Sequence, residues 1–168
     1  MPGRDLDTFL RKDAATDELE GLPDAVMREL AAHRAQYLTD PEKAHVWDPI
    51  VIGVPGGPVK NLLLTYTGRR SGRRLQTVLQ YYHYFGQYAV VGSRGGTVDH
   101  PFWYRNLVEN PSCEIQIAKL VLSAKARTLE GDERAKWWPL ITQEQPEQRK
   151  YQARTSREIP VVVFDLRS

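Results

Sequence analysis

The feature that most constrains the fold of this sequence is a series of short β-rich segments that begins at residue 50. The first four are IVIGV (50–54), NLLLTYT (61–67), LQTVLQYYHY (75–84) and QYAVVGS (87–93). Residues 113–118 and 120–126 alternate between apolar and other side chains, as half-buried strands do. Residues 159–166, IPVVVFDL, are almost entirely apolar and predict a central strand that is covered on both faces.

The links between these segments indicate how the strands are arranged. Most of them are shorter than the dozen or so residues that a crossover between parallel strands requires. We therefore predict a mainly β fold, in which an antiparallel sheet of about five to seven strands curls into a small barrel with helices packed outside it.

An N-terminal helix is predicted to begin near Asp24, which can act as its cap, and to end before the Asp40-Pro41 pair. Its apolar residues, including Val26 and Leu30, recur at helical spacing. This pattern predicts a helix that packs on the barrel, and the alternative is peripheral contact with a membrane surface.

Two further helices interrupt the strands. One lies within residues 99–110, with Asp99 as a candidate cap and Pro101 in the first turn. The other begins at Asp132 and is expected to be kinked or ended by Pro139.

The length of 168 residues is that of one domain. Residues 1–23 are polar and contain both Pro and Gly, so we expect a flexible leader there. Residues 24–168 are then one domain with an N-terminal helix. The chain contains no apolar run of about eighteen residues and no signal-peptide pattern, which predicts a cytoplasmic protein.

The composition argues against several classes of partner. The chain has 23 basic and 21 acidic residues, so no strong overall field attracts nucleic acid. Its one cysteine, Cys113, excludes an intrachain disulfide, and its four histidines are not spaced like metal ligands. The motifs GxGxxG, GxxxxGK[ST] and GxSxG are absent, which excludes the commonest nucleotide loops and the nucleophile elbow.

Two loops that contain glycine and arginine are candidate ligand sites. Residues 68–74, GRRSGRR, have the composition of a solvated hairpin turn. A phosphate site is the alternative, with charged donors from Arg69 and Arg70 and a hydroxyl from Ser71. A nucleic-acid contact is a third interpretation, which the balanced charge disfavours. Because residues 90–96, VVGSRGG, add a second arginine-bearing loop at a strand end, the pair would suit an extended polyanionic ligand.

Five ordered segments make this sequence resemble the deazaflavin-dependent nitroreductase family of actinobacteria. They are LLLTYTGRRSG (62–72), VVGSRGG (90–96), HPFWYRNLVENPSCEIQI (100–117), DERAKWWP (132–139) and YQARTSREIPVVV (151–163). The resemblance covers about residues 58–166. It implies a split β-barrel of the type that also binds FMN, and an enzyme that uses coenzyme F-420.

The resemblance also implies which residues bind the coenzyme. Residues 69–71 match the turn that holds the phosphate, Arg94 matches the cation that meets the acidic tail, and residues 77–79 lie on the strand beneath the deazaflavin ring. The implied coenzyme-binding residues are Arg69, Arg70, Ser71, Thr77, Val78, Leu79, Val91, Gly92, Ser93, Arg94, Gly95, Gly96, Trp103 and Asn106. No metal is expected.

Tyr151 matches a tyrosine that the family places near the substrate. Since a deazaflavin delivers a hydride, the protein needs to bind, orient and supply a proton. We expect Tyr151 or Ser93 to donate a hydrogen bond to the developing anion. The alternative for Tyr151 is an ordinary packing role.

The sequence departs from the family at several positions. The family often has an arginine at the position of Leu75, a proline at Val78 and an asparagine at His100. Gln148 and Arg154 replace aromatic residues found in some nitroreductases, so we expect a different substrate pocket.

The predicted function is hydride transfer from reduced coenzyme F-420 to a small electrophilic acceptor, namely an enone, a quinone or a nitro compound. An FMN-dependent split-barrel oxidoreductase and a non-catalytic protein that binds or carries the deazaflavin are the alternatives. The sequence does not predict the oligomeric state.

Overall fold

The computed structural model describes residues 22–167, which contain eight strands, five α-helices and two short 3₁₀ helices. The strands are β1 (Val46–Trp47), β2 (Val59–Thr67), β3 (Arg74–Gln80), β4 (Tyr82–Tyr84), β5 (Gln87–Val91), β6 (Ser112–Ile117), β7 (Leu120–Thr128) and β8 (Val161–Leu166). The helices are α1 (Asp24–Thr39), α2 (Pro41–Ala44), α3 (Phe102–Glu109), α4 (Gly131–Glu144) and α5 (Glu147–Ala153). The predicted leader at residues 1–23 lies outside the described residues except for its last two.

The strands form one antiparallel sheet in the order β1-β2-β6-β7-β8-β5-β4, with β3 paired to β2 beside this path. In β2, Leu64 lies opposite Thr77 of β3 on one side and Ile115 of β6 on the other. The sheet curls into a half-barrel with flanking helices, so the predicted antiparallel split-barrel fold is confirmed.

The last strand is covered on both faces, as its apolar sequence predicts. Val162 and Phe164 are buried in the barrel core with Leu62, whereas Val161 and Val163 pack with Trp137 of α4. Alternate residues of a strand point to opposite faces, so this strand needs apolar residues at every position. Complete burial of each such side chain contributes about 1.5–3 kcal/mol.

Helix α1 packs on the outer side of β2 through Tyr37, which is fully buried with Leu63. The Tyr37 hydroxyl lies 3.0 Å from the carbonyl oxygen of Asn61 and 2.9 Å from that of Gln116. It also accepts a hydrogen bond from the backbone N–H of Ala118 at 2.9 Å. The packing interpretation of this helix is confirmed. None of the helices in residues 22–167 combines the length and the apolar character needed to span a bilayer.

The predicted strand at residues 50–54 is wrong. The chain forms a 3₁₀ helix at Pro49–Ile52, with the Asp48 carboxylate accepting a hydrogen bond from the N–H of Ile50 at 3.0 Å. The helix ends at Gly53, whose φ is +87°. A cap, a proline in the first turn and a glycine at the end outweigh the β propensity of the apolar residues between them.

The helix boundaries also differ from the prediction. The N-cap residues are Pro23 for α1 and Pro101 for α3, so neither Asp24 nor Asp99 caps a helix. Pro101 restricts His100, the residue before it, to extended backbone, so the helix cannot begin next to Asp99.

The segment after Pro139 contains more helix than the sequence predicts. Helix α4 continues through this proline to Glu144, and a fifth helix, α5, follows it. Since α5 has only seven residues, its sequence shows no clear helical period.

Candidate active site

A cavity of about 560 Å³ lies between the barrel and helices α1 and α5. Its volume is within the range of about 300–1,000 Å³ that is typical of small-molecule sites. It has four walls, formed by strand β3, by the loop after β5, by the α4–α5 region and by α1 with the segment that follows it.

The β3 wall contains three of the predicted coenzyme-binding residues, Thr77, Val78 and Leu79, all half-buried. They pair with Leu64, Leu63 and Leu62 of the neighbouring strand, which are fully or almost fully buried. The apolar core therefore fixes the position of this wall.

The loop wall contains Val91, Ser93, Arg94 and Gly95, together with Pro101 and Trp103 of the following segment. Ser93 has right-handed backbone angles, whereas Arg94 and Gly95 have φ values of +43° and +66°. A right-handed residue followed by a left-handed one turns successive backbone N–H groups toward one concave side, which is a common anion-binding arrangement.

Two predicted glycines shape this loop without lining the cavity. A Cβ on Gly96 would lie only 2.4 Å from the backbone oxygen of Tyr151, and one on Gly92 would lie 2.7 Å from the ring of Pro160. Only glycine therefore permits the loop to approach α5 and β8 this closely.

The α4–α5 wall contains Gln145, Glu147, Gln148, Tyr151 and Arg154. Burial is the main cause that raises the pKa of Tyr151 above its ordinary value of 10.0, with Glu147 acting in the same direction. The Tyr151 hydroxyl is thus protonated at neutral pH and can donate a hydrogen bond. The guanidinium of Arg154 lies 5.5 Å from the centre of the Tyr151 ring and donates to the carbonyl oxygen of Gly95 at 3.3 Å.

The α1 wall was not part of the site predicted from the sequence. It includes Val26, Leu30 and Ala31 of the helix, with Trp47 and Ile52 from the next segment. The apolar spacing of α1 was visible in the sequence, but nothing there indicated that this face borders a cavity.

His33 also belongs to the α1 wall. Its ring stacks on Trp47 at 4.2 Å, and its Nε2 donates to the carbonyl oxygen of Ala44 at 2.8 Å. Burial lowers the pKa of His33, so the imidazole is neutral at neutral pH.

The predicted phosphate loop lies beside the cavity rather than in its lining. It joins β2 and β3, and residues of both strands, including Tyr66 and Gln76, line the cavity. Arg70 and Ser71 are exposed. The Ser71 hydroxyl oxygen accepts a hydrogen bond from the N–H of Arg73 at 3.2 Å, so this hydroxyl stabilises the turn itself.

Arg69 is largely enclosed, with 12% of its side chain exposed. Its guanidinium lies 5.3 Å from the centre of the Phe102 ring, and its Nε is 3.2 Å from a carboxylate oxygen of Glu109. Within residues 22–167, its buried Nη1 has no hydrogen-bond partner. A buried charged donor without an acceptor is costly, so this Nη1 is available to an acceptor group.

Trp103 and Asn106 project from α3 in different roles. Trp103 lines the cavity and is almost fully buried. Asn106 is completely buried and does not line it. Its amide connects α3 to the Arg69 loop, so it supports the candidate phosphate turn indirectly.

The three positions that depart from the family pattern have defined surroundings. Leu75 is buried in the barrel core opposite Tyr66. Val78 lines the cavity, and His100 lies beside the guanidinium of Arg157. The neighbouring Arg74 forms an ion pair with Glu114 at 2.8 Å.

Two residues of the site were given no binding or catalytic role from the sequence. Gln148 is buried in the cavity wall, with its Nε2 3.2 Å from the hydroxyl of Tyr82. Arg157 donates to backbone carbonyls of the loop after β5. Arg157 stands among other charged residues in its segment, so no sequence pattern distinguished it from an exposed arginine.

The residues present fit a cofactor that combines a planar ring with several negative charges. The β3 wall and Trp103 provide apolar surface, the concave loop at residues 93–95 presents backbone N–H groups, and Arg69 retains a buried donor. In the part of the chain that the structure describes, no three His, Cys, Asp or Glu side chains are grouped as a metal site.

Comparison with known proteins gives the same indication. Residues 49–165 match the model of the F420H(2)-dependent quinone reductase family. The F420H(2)-dependent quinone reductase Rv1261c of Mycobacterium tuberculosis is 35% identical over 117 residues, which are 68% of this chain and 78% of that protein.

Two solved structures are also similar. One is an F420-H2 dependent reductase (FDR-A), which is 40% identical to this chain and superimposes with a TM-score of 0.58. The match covers 62% of this chain and 93% of the reductase chain. The other, described as a domain-swapped dimer, has 32% identity and a TM-score of 0.60 over 82% of this chain and 98% of its own.

These matches confirm the resemblance, the reductase class and coenzyme F-420 as the cofactor that the sequence predicts. The protein belongs to the F420H(2)-dependent quinone reductase family.

Proposed function

We propose that this protein transfers a hydride from reduced coenzyme F-420 to a small quinone held beside it in the cavity. The observation that supports this most directly is one cavity lined both by the concave loop at residues 93–95 and by Tyr151 on α5. The cavity thus combines groups suited to an anionic cofactor with a neutral hydroxyl suited to a substrate. Enones and nitro compounds are also electron-poor hydride acceptors, and we include them in the proposed class.

For the coenzyme, we propose that Arg69, Arg70 and Ser71 bind the phosphate and Arg94 meets the acidic tail. Arg69 carries most of the phosphate contact, because it is enclosed and still has a free donor. Trp103 and residues 77–79 form the apolar surface for the ring, with Val91, Gly92, Gly95 and Gly96 shaping the loop above it. The bound coenzyme supplies the hydride.

For the acceptor, we propose that Tyr151 donates a hydrogen bond to the oxygen that gains negative charge. Burial and Glu147 raise the pKa of this phenol, which keeps the donor proton in place at neutral pH. Ser93 is the second candidate donor, since this residue lines the adjoining wall of the same cavity. The apolar α1 wall excludes water from the acceptor, which strengthens such a hydrogen bond.

Titration of the purified protein with coenzyme F-420 and with FMN tests the proposal. Trp47 and Trp103 both line the cavity, so their fluorescence should report ring binding, and the double substitution Trp47→Phe, Trp103→Phe should remove most of that signal. We expect coenzyme F-420 to bind far more tightly than FMN, and the reduced coenzyme to be oxidised when a soluble quinone is added. Equal affinity for FMN would favour an FMN-dependent enzyme. Binding without oxidation by any quinone, enone or nitro compound would favour a carrier.

A further inference from the structure

Arg157 uses its guanidinium to tie together both ends of the loop after β5. Its Nη1 donates to the carbonyl oxygen of Gly92 at 3.0 Å and its Nη2 to that of Ser93 at 2.7 Å. Its Nε donates to the carbonyl oxygen of Thr97 at 2.9 Å. One rigid planar group therefore fixes the chain on both sides of residues 94–96.

The loop segment between these contacts has an unfavourable backbone. Arg94 has a φ of +43°, which an L-residue other than glycine rarely adopts, and Gly95 and Gly96 also have positive φ. Strained backbone of this kind persists only where the surrounding structure over-determines it. Arg157 shares this role with the hydrogen bonds from Arg154 to Gly95 and from the N–H of Gly92 to Pro160, the contact of Gly96 with α5 and two short-range bonds within the loop.

The contacts of Arg157 differ from those of an ordinary surface arginine. Within residues 22–167, the hydrogen-bond partners of its guanidinium are three carbonyl oxygens and the Nδ1 of His100, at 3.0 Å, rather than a carboxylate. Arg157 is partly buried and does not line the cavity. It thus acts on the loop and has no direct contact with the space that a ligand would fill.

We propose that Arg157 is a positioning residue that holds residues 92–97 in the conformation that presents Ser93, Arg94 and Gly95 to the cavity. The part of this inference that concerns coenzyme binding rests on the proposed function. The part that concerns loop conformation does not, because the contacts are present in the protein alone.

Amide hydrogen exchange in the coenzyme-free protein tests the conformational part. The N–H groups of Gly96 and Thr97 donate to the carbonyl oxygens of Ser93 and Arg94, so they report whether the turn is intact. In Arg157→Ala we expect these two amides to exchange on the order of tenfold faster or more, the effect of losing at least one charge-assisted hydrogen bond. Amides of β2 and β8 should be unchanged.

Arg134→Ala is the matched control. Arg134 is also partly buried and also donates to a backbone carbonyl, that of Ile159 at 2.8 Å. The other partners of its side chain within residues 22–167 are Glu158 and Trp138, which lie outside the loop. This variant should leave the exchange of Gly96 and Thr97 unchanged. Arg157→Lys retains the charge without the planar guanidinium and should give an intermediate exchange rate. The same variant replaces Arg157→Ala in the test if Arg157→Ala fails to fold.

The functional part is tested by steady-state kinetics. We expect Arg157→Ala to raise the KM for the coenzyme by about tenfold or more, while kcat falls much less. Added guanidinium at millimolar concentration should lower this KM part of the way back to the wild-type value. Unchanged exchange at Gly96 and Thr97 in both Arg157 variants would overturn the proposal. Faster exchange with an unchanged KM would overturn its link to the coenzyme. A wild-type protein that binds no coenzyme would instead refute the proposed function, and the exchange data would still decide the role of Arg157.

Discussion

Asn106 accepts a hydrogen bond from the backbone N–H of Arg69 through its Oδ1 at 2.7 Å. The same amide donates through its Nδ2 to the carbonyl oxygen of Phe102, also at 2.7 Å. The side chain is completely buried, so water cannot replace either bond. One residue of α3 therefore fixes the start of the arginine loop to the helix that carries Trp103.

The first prediction concerns this amide. Asn106→Ala removes the acceptor of the Arg69 N–H and should lower the free energy of unfolding by about 1–3 kcal/mol, the cost of an unsatisfied buried group. It should also weaken coenzyme binding, because the loop loses its attachment. Thermal unfolding and fluorescence titration measure the two effects. Val108→Ala, at an exposed position of the same helix, should change neither. Normal stability and affinity in Asn106→Ala would show that the loop holds its position without the amide.

The second prediction concerns the phosphate contact. The double substitution Arg69→Ala, Arg70→Ala should weaken binding of coenzyme F-420 by about 2–4 kcal/mol, because charge-assisted hydrogen bonds to phosphate are lost. The control is Arg105→Ala, Arg149→Ala, which removes the same charge from two exposed positions. If both double variants lose equal affinity, the effect is one of overall charge, and residues 68–74 are a solvated turn.

The third prediction concerns the acidic tail of the coenzyme. Arg94→Glu reverses a charge in the cavity wall and should weaken binding of a long-tailed coenzyme more than that of a tail-less form. The difference should shrink as salt is added, because ions screen the interaction. Titrations of both forms at low and high ionic strength provide the measurement. Equal losses for the two forms would place the tail away from Arg94.

The fourth prediction separates chemistry from binding. Tyr151→Phe keeps the ring and removes only the hydroxyl, so coenzyme affinity and thermal stability should change little. Hydride transfer to a quinone should slow by about ten- to a thousandfold, the range for one hydrogen bond made in the transition state. Single-turnover oxidation of the reduced coenzyme measures this rate. Tyr104→Phe is the control, since that hydroxyl binds Thr128 at 2.9 Å and does not line the cavity. A Tyr151→Phe rate within about twofold of wild type would move the donor role to Ser93 or water.

The fifth prediction concerns pH. Burial, followed by the Arg157 charge, lowers the pKa of His100 below its ordinary value of 6.5. The unfolded chain therefore binds a proton at a pH where the folded protein does not, and stability must fall as the pH drops below 6.5 toward the folded pKa. Burial also lowers the pKa of His33 and His45, so they contribute to the same decline.

Chemical denaturation between neutral and mildly acidic pH measures this decline. His100→Gln should reduce the slope of the free energy of unfolding against pH, because one of the titrating groups is gone. His83→Gln, at an exposed position, is the comparison. An identical slope in His100→Gln and wild type would mean that His100 does not couple to folding.

The sequence predicted the parts of the fold that depend on local pattern. Alternating residues identified β6 and β7, and the apolar run identified β8 as central, because a strand covered on both faces tolerates no polar position. The 3₁₀ helix at Pro49–Ile52 was missed, since its capping residues outweighed an apolar segment that suited a strand equally well.

The sequence pointed to only some of the residues that form the cavity and its supporting contacts. The resemblance, which covers about residues 58–166, pointed to residues of β3 and of the loop after β5, and residues of both line the cavity. Arg157 and the α1 wall depend on contacts between residues far apart in the chain. The side chain of Arg157 reaches carbonyls more than fifty residues away, a distance that no periodicity or spacing records.

Strand β3 has a consequence for solubility as well as for binding. It pairs with β2 along one edge only, and the other edge has no strand partner within residues 22–167. Such an edge presents a row of backbone donors and acceptors on which another chain can add a strand. Residues 76–80 of this strand line the cavity, so a coenzyme bound there as proposed is expected to shield part of this edge. A protein purified with its coenzyme should therefore remain monodisperse at concentrations at which the ligand-free form associates.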